Sequence, residues 1–102
     1  MGEGEITMTT VAKTIIHQIR SLDPLAFAAW GAKEFVNMNN GLKFKTSGLC
    51  KWKGYVYVKY NEGLDLYDIE FAKVRNLEWK KEKEVKGLYY DQIIDVIDGV
   101  VK

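Results

Sequence analysis

The hydrophobic period changes twice along this chain of 102 residues, and those two changes constrain its fold more than any single motif. Val11, Ile15, Ile19 and Leu22 recur at spacings of four, four and three, and Ala12 and Ile16 widen the stripe. Lys13, Gln18 and Arg20 fall on the other side, which makes this an amphipathic helix with Thr9 or Thr10 as its N-cap. Ser21-Leu22-Asp23-Pro24 ends it, because proline disfavours helical geometry at the residue before it. Asp23 then caps a short apolar helix over 25–30, stopped by Gly31, and so apolar a segment is expected in the core.

From Glu34 the period is two, the signature of strands with one buried face. Strands are expected over 34–38 and 42–46, joined by Asn39-Asn40-Gly41 as a three-residue hairpin loop with Gly41 in the left-handed region. In that register Val36, Met38, Leu42 and Phe44 share one face, and Lys43 and Lys45 point to water. A loop over 47–54 carries Cys50, Lys51, Trp52 and Lys53 into a third strand over 55–60. There Val56 and Val58 face one way and Tyr55, Tyr57 and Lys59 the other. A fourth strand over 64–73 changes parity between Leu66 and Tyr67, which a β-bulge near 65–67 would reconcile. A fifth, over 77–83, has a charged end suited to a sheet edge. After Gly87 the helical period returns, with Tyr89, Ile93, Ile97 and Val100 as its stripe.

The expectation is one α+β domain: an antiparallel meander of four to five strands, with two N-terminal helices and one C-terminal helix packed on one face. The domain spans 9–102, and the glycine-rich acidic start, 1–8, is a flexible tail in which Met8 is an alternative first residue. One cysteine cannot form an internal disulfide, which fits a reducing cytoplasm. No apolar run approaches the roughly 18 residues that span a bilayer. With 15 basic against 14 acidic residues, the net charge of +1 argues against a polybasic membrane binder or a non-specific nucleic-acid coat.

Chemistry-bearing residues are sparse. The single histidine, His17, lacks companions for a metal site, and Cys50 has no evident base beside it. Asp65 and Asp68 lack the spacing of a calcium loop. Asp68 followed by Glu78-Trp79-Lys80 has the spacing of a restriction-type nuclease, in which two carboxylates hold Mg²⁺ and a lysine polarises water. However, 13 lysines and 8 glutamates make Glu-x-Lys common by chance, and Glu84-Val85-Lys86 is another instance. No catalytic residue, metal or cofactor is therefore expected. Lys51, Trp52, Lys53, Tyr55, Tyr57 and Lys59 interleave cations with aromatics, the pattern of a surface that stacks bases and meets phosphates. Asp91, Asp95 and Asp98 form an acidic ridge on the last helix. That helix begins Tyr89-Tyr90-Asp91-Gln92, without the basic cluster of a double-stranded RNA-binding domain.

Three segments taken together carry a family likeness: Trp30-Gly31-Ala32-Lys33-Glu34-Phe35-Val36, Gly63-Leu64-Asp65-Leu66-Tyr67-Asp68-Ile69-Glu70-Phe71 and Lys86-Gly87-Leu88-Tyr89-Tyr90-Asp91-Gln92-Ile93. The chain resembles small proteins of bacteriophages and bacterial mobile elements. These carry Gly-Ala-Lys-Asn-Phe-Val, Gly-Leu-Asp-Leu-Tyr-Asp and Gly-Val-Tyr-Ala-Asp type patterns. The likeness runs roughly from Leu22 to Ile97; Glu34 and Tyr90 depart from it conservatively, and the Thr-Gly-Leu-Tyr tail of many relatives is missing. The family has no assigned activity, so the resemblance implies a setting and no catalytic residue. Phage accessory proteins of this size often bind host machinery, inhibitors of defence nucleases among them.

The expected function is thus a non-enzymatic accessory protein in the bacterial cytoplasm that binds a host protein or complex through Trp52, Tyr55 and Tyr57, with the acidic ridge as a second surface. The alternative is a single-stranded nucleic-acid binder using the same aromatics with Lys51, Lys53 and Lys59. A Mg²⁺-dependent nuclease is third.

Overall fold

A computed structural model describes residues 10–48 and 50–102. The chain runs through α1 (Thr10–Leu22), α2 (Ala26–Ala29), β1 (Lys33–Met38), β2 (Gly41–Lys45), β3 (Tyr55–Asn61), β4 (Leu66–Arg75), β5 (Glu78–Leu88), a 3-10 turn (Tyr90–Gln92) and α3 (Ile93–Val101). The strands form one antiparallel sheet in sequential order. The α+β class and the meander are as expected from the pattern, with five strands. The second N-terminal helix is a single turn. The expected tail and the cap at Thr9 lie outside the described residues, and Thr10 is already helical.

One face of the sheet holds the core. Leu42, Phe44, Val56, Val58, Ile69 and Phe71 are fully buried there, in one cluster with Ile15 and Ile19 of α1 and Ile93 and Ile97 of α3. Full burial of each such side chain is worth about 1.5–3 kcal/mol. Trp30 stacks on Phe44 with ring centroids 5.9 Å apart, and Phe27 meets both edge-on. The Asp23 carboxylate accepts from the Leu25 N–H at 3.0 Å, but α2 starts only at Ala26 with Leu25 in the N-cap position and no side-chain capping bond, so Asp23 does not cap it. Gly31, at φ +58°, turns the chain into β1, where an added Cβ would stand 2.4 Å from the Ser47 carbonyl oxygen. The segment over 25–30 is only partly core: Ala26 and Trp30 are buried, whereas Leu25 is exposed.

Four local expectations are corrected. The β1–β2 turn is two residues long, because Met38 pairs with Gly41, Asn37 with Leu42 and Val36 with Lys43. Val36 and Met38 therefore share the face of Lys43, and Phe35, not Val36, meets Phe44. Gly41 is neither loop nor left-handed: it opens β2, where it lies against the β3 backbone. Leu64 belongs to the β3–β4 turn, so the parity conflict in β4 vanishes without a bulge there. β5 runs on to Leu88, and its irregularities fall between Tyr67 and Ile69 and between Phe71 and Ala72 of its partner. Tyr89 and Tyr90 are exposed, and α3 buries Ile93, Ile94, Ile97 and Val101.

Candidate functional site

The face of the sheet opposite the core is built by the outward parity of each strand. Lys43 and Lys45 of β2 lie opposite Tyr57 and Tyr55 of β3, which lie opposite Glu70 and Ala72 of β4. β5 adds Glu84, Lys81 and Trp79, opposite Glu70, Ala72 and Val74. Glu84 and Lys81 are three positions apart and would point to opposite faces of a regular strand. They share one face because Phe71 pairs with Lys83 and Ala72 with Lys81, leaving Glu82 as an extra bulged residue.

Charge divides this face into two regions. In the first, every carboxylate is satisfied. Lys59 lies 3.2 Å from Glu70 and 2.9 Å from Glu84, and Lys81 reaches Glu84 at 3.1 Å. Hydrogen bonds from Lys59 and Lys81 hold the Glu84 carboxyl well below the usual range, at about 2. Burial opposes the charged form of Lys59, but its bonds to Glu84 and Glu70 outweigh that and raise its pKa. Trp79 Nε1 donates to Glu70, and the Tyr57 hydroxyl donates to Asn40. Burial raises the Tyr57 pKa.

The second region is the end of the sheet where β3 begins. Lys45, Lys53, Lys73 and Arg75 line a shallow groove of about 400 Å³ with Gly54, Tyr55 and Val74. Lys73 and Arg75 alternate with the outward-facing Val74, and Lys73 lies over the Trp52 ring at 5.8 Å, so the groove wraps the end of the sheet and is not confined to the open face. None of these four cations has an ion-pair partner among the described residues. Lys43 and Lys45 sit over the Tyr55 ring at 5.6 and 5.8 Å, and Lys43 also lies 5.3 Å from the Trp79 ring. Tyr55 and Trp79 are in contact, with centroids 5.7 Å apart. The groove wall is fixed from below by Thr46, which is buried: the Gly54 N–H donates to its hydroxyl at 3.0 Å.

The expected site residues are partly reunited here. Tyr55, Tyr57 and Lys59 share the open face, half-buried, and Lys53 lines the groove, while Lys51 is exposed in the loop before it. Trp52 is not on that surface. Its ring meets the core residue Phe71 edge-on at 5.7 Å, its N–H donates to the Val101 carbonyl at 3.1 Å and its indole donates to Glu82. Trp52 is drawn to the helix side because its ring fills the gap where the core meets the end of α3. Lys59 is neutralised by its two carboxylates. The acidic ridge is also broken: Asp91 and Asp95 are exposed, but Asp98 is half-buried and accepts from Trp30 Nε1 at 2.7 Å, with Lys102 at 3.4 Å.

The nuclease constellation is dispersed. Asp68 accepts from the Gly87 N–H at one end of the β4–β5 ladder. Glu78 stands across the ladder from Arg75 at the other end, and its carboxylate binds Lys80 at 2.8 Å. Seven strand positions separate Asp68 from Arg75, about 23 Å. Among the described residues no group of three or more His, Cys, Asp or Glu side chains could hold a metal ion, and no helix is long and apolar enough to cross a membrane.

Sequence reasoning missed Lys43, Lys45, Lys73, Arg75 and Trp79. Lys43 and Lys45 were legible as outward-facing, but nothing linear marks them as neighbours of Tyr55. Comparison with known proteins returns nothing: no family model, no curated protein and no solved structure matches the chain.

Proposed function

We propose that the protein is a non-enzymatic binding module for single-stranded nucleic acid, engaged at the end of the sheet where β3 begins. One observation carries this reading: Lys45, Lys53, Lys73 and Arg75 line one groove with Tyr55 at the end of the sheet, and no carboxylate is among the residues lining it. A fold with a net charge of only +1 has enough acid to neutralise such a cluster, yet Glu70 and Glu84 on the open face are held by Lys59. Gathering like charges without counter-charge costs stability, and a polyanion would offset that cost. The phosphates would meet the four cations, and bases would stack against Tyr55 and Trp79 once the overlying lysines turn to the phosphates. A single strand suits this shallow aromatic surface, since a duplex keeps its base faces stacked away. The resemblance to phage and mobile-element accessory proteins fits a small binder of this kind acting inside a bacterial cell.

A second reading, binding to a host protein or complex, is favoured by the apolar area on the open face of the sheet, where Val36, Val74 and Trp79 are 39%, 45% and 37% exposed. Titration of a fluorescent single-stranded oligonucleotide, followed by anisotropy at low salt, separates the two. Binding is expected for the native chain and for Lys13→Glu on the far side of α1, and loss is expected for Lys45→Glu combined with Lys73→Glu. No binding by the native chain would reject the nucleic-acid reading in favour of a protein partner.

A further inference from the structure

The β4–β5 turn presents a leucine where folding gives it nothing to do. Arg75 pairs with Glu78, so Asn76 and Leu77 are the two central residues of the turn, at φ 53° and 64°. Two successive residues at positive φ are the primed hairpin geometry, which favours Asn-Gly because glycine enters it without a Cβ clash. Asn76 fits that preference, and Leu77 does not. The Leu77 side chain is also 98% exposed, more than any other large hydrophobic described. It buries no apolar area, carries backbone strain, and makes the tip less soluble than glycine would.

Its surroundings indicate what would cover it. Arg75, one of the groove's unpaired cations, lies two residues before it. Lys80, on the other arm, is already held by Glu78. Tyr55 is opposite Ala72, which places the tip about 13 Å farther along the ladder, on the path of a strand running out of the groove. Val74, 45% exposed, lies between them. An apolar side chain projecting beside phosphate-binding cations can enter between successive bases and unstack them.

We propose that Leu77 is such a wedge: it inserts between adjacent bases of the strand held in the groove and marks one end of the bound segment. This rests on the nucleic-acid reading above. The test uses the full chain and a short single-stranded oligodeoxynucleotide carrying one 2-aminopurine, whose fluorescence rises when it is unstacked. Native protein is expected to bind and to raise the fluorescence. Leu77→Gly, which relaxes the turn, is expected to keep or raise the melting temperature, to abolish the fluorescence rise and to weaken binding about tenfold. Leu77→Asn, which also tolerates the left-handed region, should behave the same way. Equal affinity and equal fluorescence in native protein and Leu77→Gly overturn the wedge. If Lys45→Glu nevertheless abolishes binding, the groove stands and the wedge alone is rejected. A native chain that does not bind the probe overturns both.

Discussion

Glu84 accepts a hydrogen bond from Lys59 at 2.9 Å and another from Lys81 at 3.1 Å, and its pKa falls from an ordinary 4.5 to about 2 as a result. A carboxyl lowered on folding stabilises the native state above its unfolded pKa. That contribution is lost as pH drops from about 4.5 through about 2. Water screens the pair, since the Lys81 side chain is 50% exposed, so its worth is about 1 kcal/mol. Glu84→Gln should lower stability by that amount at neutral pH and lose most of that deficit near pH 2, as read from urea unfolding at both. An equal deficit at both pH values would place the effect in packing instead of charge. The alternation of charge in Lys81-Glu82-Lys83-Glu84 is plain in the sequence, but which glutamate faces Lys59 is not. The bulge at Glu82 decides it.

At the scale of elements, the β1–β2 hairpin shows how a single position changes a surface. Reading Asn39-Asn40-Gly41 as a three-residue loop puts Val36 and Met38 in the core, whereas the two-residue turn puts them beside Lys43 on the open face. A slip of one residue exchanges the faces of a strand, so the stretch from Val36 to Met38 changes sides as a unit. What settles the register is contact with β3. A Cβ at Gly41 would stand 1.9 Å from the Val58 carbonyl oxygen, so only glycine lets β2 begin there against its neighbour. Gly41→Ala is therefore expected to destabilise the fold by about 2 kcal/mol in thermal or urea unfolding. A loss of only a few tenths would mean that the strands separate easily at that point.

Across the whole molecule, a nearly neutral chain has sorted its charges. Cations without an ion-pair partner among the described residues gather at the end of the sheet where β3 begins, while Glu70 and Glu84 are held beside Lys59. If four phosphates meet those four cations, single-strand affinity should fall about 50-fold between 50 and 200 mM salt, a log-log slope near −3. A slope near zero would show that the groove takes no part. The sequence by itself determined the class of fold, because the hydrophobic period is set by local geometry: near 3.6 in a helix, two in a strand. It also determined that Lys43, Lys45, Tyr55 and Tyr57 turn away from the core. Only the tertiary structure decided which of them meet. Registers, the Glu82 bulge and the pull of the core on Trp52 depend on contacts between residues far apart in the chain. No local periodicity encodes such contacts, which is why Trp52 left the expected surface, Trp79 joined it, and Lys73 and Arg75 came to line the groove at its end.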